Sequence, residues 1–83
     1  MKVLYFSWIK DKLGKNHEEV QVDDNIKTIN DLITLLKRNN EDYEDVFKDT
    51  SSIKVSINME TARVEDSIND NDEVAFFPPM TGG

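Results

Sequence analysis

The sequence contains no cysteine and a single histidine, His17. Without thiols the chain can form no disulfide, no thiolate nucleophile and no zinc-thiolate site, so any sulfur chemistry has to use another group. One imidazole cannot form a histidine cluster for a metal ion, and we expect His17, in the polar stretch 15–19, to be a surface side chain. These absences argue against an enzyme that works on its own.

Long apolar runs are also missing, and positive charge is scarce. No stretch approaches the roughly 18 apolar residues of a membrane span, and residues 1–10 lack the features of a signal peptide. The chain has 10 Lys and Arg against 17 Asp and Glu, which gives a net charge of -7. A field of that sign repels nucleic acid phosphates and anionic lipids. We therefore expect a cytoplasmic protein that binds neither nucleic acid nor membranes.

The 83 residues suffice for one domain, and its apolar residues fall in short periodic blocks. Residues 2–8 predict a central strand, because apolar side chains occur on both of its faces. Ser7 is a suitable start for a short helix or turn that Gly14 would end, and residues 18–22 predict a second strand. The two strands would form a loosely connected hairpin.

The clearest helical pattern covers residues 29–38. Thr28 and Asp31 resemble a capping box, and the apolar residues that follow keep the spacing of one helical face. They are Ile29, Leu32, Ile33 and Leu36. Residues 39–40, two asparagines that tolerate left-handed backbone, would end this helix, and residues 41–48 predict one or two further helical turns.

Three more strands are predicted in the second half. Residues 53–57 alternate apolar and polar side chains, a turn at 58–60 leads into a short strand at 62–64, and 73–77 form an apolar strand that Pro78–Pro79 must end. The order β-β-α-β-β-β fits a ubiquitin-like β-grasp, an α+β fold in which one mixed sheet of four to five strands wraps one main helix. Other α+β roll orders fit the same string.

The first and last strands carry apolar side chains on both faces. Side chains two apart share a face, so Val74 and Phe76 lie opposite Ala75 and Phe77. If the helix covers the face with Val74 and Phe76, the other face keeps an apolar patch, which would mark a partner site. That patch would consist of Leu4, Phe6, Ala75 and Phe77. The alternatives are that loops or residues 43–47 cover it, or that the two faces are inverted.

The chain ends in two glycines, Gly82 and Gly83. Glycine has no Cβ, so such an end passes through a slot too narrow for any side chain. Four extended residues after Pro79 reach about 13 to 14 Å, enough to bring the terminal carboxylate into a partner's pocket. We therefore divide the chain into a β-grasp domain, residues 1–79, and a flexible tail, residues 80–83. The alternative is an ordinary frayed chain end.

Residues 72–83, Asp-Glu-Val-Ala-Phe-Phe-Pro-Pro-Met-Thr-Gly-Gly, resemble the C-terminus of the small subunits of molybdopterin synthase. The resemblance extends over the whole chain, with a first strand of the type Val3-Leu4-Tyr5-Phe6 and a long apolar helix in the middle. It implies the ubiquitin-like β-grasp fold. Members of that family are sulfur-carrying, non-catalytic subunits of a heteromeric sulfurtransferase.

The resemblance also implies a role for the terminal carboxylate. Gly83 would be adenylated with ATP by an adenylyltransferase related to ubiquitin-activating enzymes, and then converted to a thiocarboxylate. The chain would join the large subunit of molybdopterin synthase and donate sulfur to cyclic pyranopterin monophosphate, forming the molybdopterin dithiolene. It would bind no cofactor directly, since the ATP is used by the activating partner.

Individual positions follow from the same resemblance. Gly83 would carry the sulfur, Gly82 would fit the slot, and Phe6 and Phe77 would correspond to aromatic contacts with the large subunit. The rest of the partner contact would consist of Pro78, Pro79, Met80 and Thr81. Two positions depart from the family: Lys10-Asp11 stands where an Arg-Glu pair is common, and Met80 stands where a β-branched residue is frequent.

Three other functions remain open. A sulfur carrier for thiamine thiazole synthesis also ends in Gly-Gly and uses the same activation, but such chains are usually shorter and lack Phe-Phe-Pro-Pro before the tail. A ubiquitin-like protein modifier would join Gly83 to a lysine amine through an isopeptide bond. An acidic binding module with an inert tail would lose nothing on removal of Gly82 and Gly83.

Overall fold

The protein, in a computed structural model that describes residues 1–48 and 50–79, forms one mixed sheet with its core on one face. The elements in chain order are β1 (Lys2–Tyr5), α1 (Ser7–Leu13), β2 (His17–Glu19), α2 (Ile29–Asn39), α3 (Glu41–Phe47), a 3-10 turn (Thr50–Ser52), β3 (Lys54–Ile57), β4 (Glu60–Ala62) and β5 (Glu73–Phe77). The strand order is β2-β1-β5-β3-β4. Strands β1 and β5 are parallel, and the other neighbours are antiparallel. This arrangement confirms the predicted ubiquitin-like β-grasp.

Helix α2 begins at a capping box, as the sequence predicts. The Thr28 side chain accepts a hydrogen bond from the Asp31 N–H at 3.2 Å, and the Asp31 carboxylate accepts one from the Thr28 N–H at 3.1 Å. Two backbone donors that helix geometry leaves without partners are thereby satisfied. The four apolar residues of the predicted stripe are all buried against the sheet: Ile29, Leu32, Ile33 and Leu36.

The end of α2 differs from the prediction. Asn40 has an extended backbone, with φ of -164°, so it does not close the helix in the left-handed region. Its side chain instead accepts a hydrogen bond from the Asp42 N–H at 2.9 Å and caps the start of α3. An asparagine serves both kinds of helix end, and here the following helix takes it.

The core lies between α2, α3 and one face of the two central strands. Tyr5 and Phe76 stack with ring centroids 6.2 Å apart, and Phe47 of α3 meets Phe76 edge to face at 4.9 Å. The face predicted to be covered is confirmed, since each of its four side chains is at most 1% exposed: Val3, Tyr5, Val74 and Phe76. The faces are therefore not inverted.

Strand β1 is shorter than the apolar run suggests. It ends at Tyr5, and the prediction that it continues to Trp8 is wrong because the chain turns into α1. Phe6 is the extended N-cap of that helix, and Ser7 takes a positive φ of 60°. Gly14 ends the helix as predicted, with φ of 74° and its N–H donating to the Lys10 carbonyl at 2.9 Å.

The two edge strands also have different bounds from those predicted. Strand β2 covers His17–Glu19, where the alternation of Val20 and Val22 suggested residues 18–22. Strand β4 covers Glu60–Ala62, where 62–64 was expected, because a two-residue turn at Asn58 and Met59 starts it earlier. In residues 1–48 and 50–79, no helix combines the length and the apolar character that crossing a membrane requires.

Candidate docking surface at the tail exit

Strand β5, which leads into the C-terminal residues, ends beside the start of α1. Because β1 and β5 are parallel, their carboxyl ends lie at the same edge of the sheet. Tyr5 pairs with Phe76, and the Phe6 N–H donates to the Phe76 carbonyl at 3.1 Å. Pro78 follows, and since proline has no N–H to donate, the ladder stops there. The end of β5 is thus held next to the first turn of α1.

Apolar side chains are exposed at this edge. Phe6 is 48% exposed and Trp8 is 40% exposed, while Phe77, Pro78 and Pro79 are partly exposed. We call these five residues the exit surface. Within the described part of the chain the only other large exposed apolar side chain is Met59, which lies at the β3–β4 turn near the start of β5. Exposed aromatics grouped in this way are typical of protein interfaces.

The patch predicted on the open face is only partly exposed. Leu4 and Phe77 are partly accessible, but Ala75 is 8% exposed, so its predicted place in the patch is wrong. Its cross-strand neighbour Ser56 is buried too, at 9%. With these two small side chains buried, the apolar exposure is concentrated at the exit. The alternative that residues 43–47 cover the patch is wrong as well, because α3 packs into the core on the other face.

Positive charge borders the exit surface. Lys54 lies opposite Phe77 on β3, and Lys10 lies one helical turn beyond Phe6; both lysines are exposed. Acidic residues dominate the opposite end of β5, where a shallow open depression is lined in part by Asp23, Asp24, Asp70 and Asp72. Two exposed lysines therefore lie at the exit of an acidic protein, and Asp11 follows Lys10 on the same helix.

A sequence model of the ThiS family matches residues 3–83. The chain belongs to the ThiS family. A relative from Escherichia coli (strain K12) is 29% identical over 83 residues, covering 100% of this chain and 99% of that protein. One from Chlamydomonas reinhardtii is 31% identical over 85 residues, covering 100% and 98%. Both relatives are named molybdopterin synthase sulfur carrier subunit, which confirms the resemblance stated from the sequence.

Solved structures of similar chains agree with the β-grasp fold. SAMP1 from Haloferax volcanii has a TM-score of 0.80 and 30% identity, covering 100% of this chain and 98% of its own. A putative molybdopterin converting factor subunit 1 from Pyrococcus furiosus has a TM-score of 0.76 at 23% identity, covering 95% of each chain, and supports the fold alone.

The site residues assigned from the sequence divide into two groups on this ThiS-family fold. Phe6, Phe77, Pro78 and Pro79 come together at the exit surface. The others lie outside the described residues, and their assignment stays a prediction: Met80, Thr81, Gly82 and Gly83. Trp8 joins the first group although sequence reasoning assigned it no role, because its exposure depends on the early end of β1.

No metal site is found in the described residues of this ThiS-family chain. No group of three or more His, Asp, Glu or Cys side chains in residues 1–48 and 50–79 is arranged to hold an ion. The single histidine, His17, is exposed, with Nδ1 2.6 Å from the Asn16 side-chain oxygen.

Proposed function

We propose that this ThiS-family chain is the sulfur-carrier subunit of molybdopterin synthase. The observation that carries the proposal is its similarity to curated relatives of that name over essentially the full length of both chains. The ending Gly82–Gly83 beside a docking edge supports it, because a carrier has to present its terminal atom group to other proteins. Function then resides in a chain end rather than in a pocket of the fold.

Activation of the tail follows from carboxylate chemistry. The Gly83 carboxylate is anionic at neutral pH, with a reference pKa of about 3.3 to 3.7, and is a poor electrophile. In the proposed first step one of its oxygens attacks the α-phosphorus of ATP on an activating adenylyltransferase, and pyrophosphate leaves. A sulfur nucleophile then attacks the acyl carbon of the acyl adenylate and AMP leaves, so that Gly83 ends in a thiocarboxylate.

Transfer uses the thiocarboxylate sulfur as the nucleophile. On the large subunit it attacks a carbon of cyclic pyranopterin monophosphate, and a carbon–oxygen bond at that carbon breaks as the oxygen leaves with the electron pair. Water then cleaves the acyl carbon–sulfur bond, which leaves the sulfur on the pterin as a thiolate and restores the carboxylate. Each tail carries one sulfur and a dithiolene contains two, so one product consumes two loaded carriers. Burying the anionic tail end is costly without a counter-charge, and we expect lysine or arginine side chains to line the large subunit's pocket.

The exit surface would hold the carrier while its tail is inserted. Phe6 and Phe77 are partly exposed aromatics at the root of the tail, which is where docking fixes the direction of the arm. Gly82 would pass the narrowest part of the partner's channel because it has no side chain. The chain thus contributes reach and docking, and the partner contributes the reaction pocket.

A protein modifier is the second candidate, and a specific observation favours it. A second structure similar to this chain, at 27% identity and a TM-score of 0.80, is that of small archaeal modifier protein 1 of H. volcanii. Both candidates share the adenylated intermediate, and they differ in the nucleophile that attacks it. A sulfur nucleophile gives the carrier, whereas a lysine amine gives an isopeptide conjugate.

Intact-mass spectrometry separates the candidates. The full chain is incubated with the activating enzyme, ATP and sulfide, and then with the large subunit and the pterin precursor. A carrier gains the mass of one oxygen-to-sulfur exchange and loses it again in the second step, and a variant lacking Gly83 shows neither change. Conjugates of higher mass without a thiocarboxylate form would support the modifier and contradict the carrier.

A further inference from the structure

The segment that leads from β1 into α1 breaks two local stability rules. Ser7 has a φ of 60°, a region that non-glycine residues occupy at a cost of about 1 to 2 kcal/mol. Phe6 is the helix N-cap and makes no side-chain capping hydrogen bond, although Ser, Thr, Asp or Asn is strongly preferred there. Such violations concentrate at functional sites, where another requirement outweighs stability.

The strain at Ser7 has no explanation in turn geometry. The other non-glycine residues described with positive φ are Asn58 and Met59, and they form the two-residue β-hairpin turn in which both central positions require it. Ser7 belongs to no hairpin. With this conformation the chain passes directly from strand β1 into helix α1. Tyr5 and Ile9 are buried, and Phe6 and Trp8 between them stay exposed.

We propose that Trp8 is a hot-spot binding contact for the large subunit of molybdopterin synthase, beside Phe6 and Phe77. This inference rests on the proposed function. The tail reaches about 13 to 14 Å beyond Pro79, so a partner that receives its end has to lie against the exit. A standard interface covers about 800 Å² on each partner, which is a disc about 16 Å in radius.

Trp8 lies inside a disc of that size centred on the exit. Its Cα is two residues from that of Phe6, hence within about 7 Å, and Phe6 is bonded to the end of β5. Helix α1 also contacts β5 directly. A partner that seats the tail therefore covers Trp8 as well, and a tryptophan at the centre of an interface is a frequent hot spot.

The exit surface also indicates the chemistry of the partner's side. The indole ring of Trp8 has an apolar body and one N–H donor. The pocket on the partner that receives it would therefore be apolar and contain a hydrogen-bond acceptor. Lys10 and Lys54 flank the surface and call for carboxylates on the partner's rim. Lys12 is already paired, 3.7 Å from Asp45. The large subunit would thus present an apolar pocket rimmed by Asp and Glu.

The test compares two exposed apolar residues at opposite ends of the sheet. Trp8→Ala and the matched control Met59→Ala are made in the full chain, and their affinities for the purified large subunit are measured by calorimetry beside thermal unfolding. We expect Trp8→Ala to raise the Kd at least about 30-fold, the effect of a hot spot, and Met59→Ala to change it less than about twofold. Both variants should unfold near the temperature of the unaltered chain.

Each outcome decides the inference. A Trp8→Ala chain that binds within about twofold of the unaltered one would overturn it while leaving the proposed function in place. If Trp8→Ala unfolds at a lower temperature, Trp8→Gln, with a helix-compatible polar side chain, is judged by the same Kd criterion. If the unaltered chain forms no complex with the large subunit, the proposed function fails and the inference fails with it.

Discussion

At the scale of single residues, one carboxylate oxygen serves two buried tyrosines. Oε2 of Glu18 accepts hydrogen bonds from the hydroxyls of Tyr5 at 2.6 Å and Tyr43 at 2.5 Å. Lys15 lies 3.6 Å from Oε1 of the same carboxylate. Burial, and then the bond to Glu18, raises the pKa of Tyr5 and of Tyr43, so both phenols stay protonated donors. Glu18 thereby fastens the edge strand β2 to β1 and α3.

Removing the shared acceptor at Glu18 should lower the free energy of unfolding more than removing only its negative charge. Glu18→Ala leaves two buried hydroxyls without an acceptor, and we expect a loss of about 2 to 4 kcal/mol in the free energy of unfolding. Glu18→Gln keeps a side-chain carbonyl oxygen and should lose about 1 kcal/mol. Urea unfolding of the two variants measures both values. Equal losses would show that the hydroxyls find other partners.

Met59 is the residue whose replacement should stabilise the protein. It has a φ of 72° and is 90% exposed, so a side chain there strains the backbone and buries almost nothing. Met59→Gly removes the strain but adds freedom to the unfolded chain, and we expect a net gain of about 0.5 to 1 kcal/mol. Thermal unfolding measures the gain. Met59→Ala keeps a Cβ and should show none; a gain of the same size in the alanine variant would refute the backbone explanation.

At the scale of elements, the cap of α2 makes stability depend on pH. The N–H groups of Lys27 and Thr28 donate to the Asp31 carboxylate and hold its pKa below the ordinary value. Because the folded pKa is lowered, the contribution is fully present above the ordinary pKa of about 3.9 and is lost as the pH falls through the folded value. Asp31→Asn should therefore be less stable than the unaltered chain at pH 6, and the difference should vanish in acid.

Unfolding curves of both chains between pH 6 and the acid limit test this linkage. Thr28→Ala is the control, since it removes the other half of the box at a cost of about 1 kcal/mol and leaves the carboxylate with its two backbone donors. Its stability should fall at every pH with the shape of the profile largely retained. A difference for Asp31→Asn that stays constant down to the acid limit would contradict the lowered pKa.

The elements that the sequence predicts well are those whose signals are local. Helix α2 has a capping box and a buried stripe, and β5 has a proline stop, so both appear within a residue of their predicted bounds. Strand β1 was extended to Trp8 because strand propensity favours aromatics, but the positive φ of Ser7 depends on tertiary packing of α1. Asn40 shows the same limit. An asparagine can end one helix or cap the start of another, and which of the two it does here depends on the presence of α3.

The candidate site was predictable where it depends on alternation along a strand. Phe6 and Phe77 fall on the open face by period two, and the structure places them together at the exit. Ala75 falls on that face too and is nevertheless buried, and a period of two residues does not predict how far each side chain on a face is exposed. Trp8 was assigned to strand β1 instead of helix α1, and its place on the exit surface was therefore not predicted.

At the scale of the whole molecule, an acidic depression and the exit surface lie at opposite ends of β5. Acidic side chains are spread over the protein, and four of them, in the loops around Asp23 and Asp70, line a depression at one end of β5, whereas Lys10 and Lys54 flank the exit. A partner with a carboxylate rim is repelled by the first end and attracted by the second, so encounter is oriented before contact. We expect this charge distribution to favour encounters in which the exit surface faces the partner.

The last prediction concerns the length of the tail after Pro79. Each residue after Pro79 adds about 3.3 to 3.6 Å of reach, and misplacing a reacting atom by about 1 Å can cost a hundredfold in rate. Deleting Thr81 keeps the Gly82–Gly83 end but withdraws the carboxylate by one residue, so sulfur transfer should slow at least about a hundredfold. Inserting one glycine after Thr81 should slow it less than about tenfold, because an arm that is too long can bend whereas a short one cannot stretch.

Single-turnover transfer from chains already loaded with sulfur isolates this effect from activation. Affinity for the large subunit should change little in both variants, since neither alters the exit surface. A deletion variant that transfers at the normal rate would mean that the partner closes onto the tail from a distance. In that case the folded domain would only carry the tail. Neither the spacing from Pro79 to the carboxylate nor the exit surface would determine the rate of transfer.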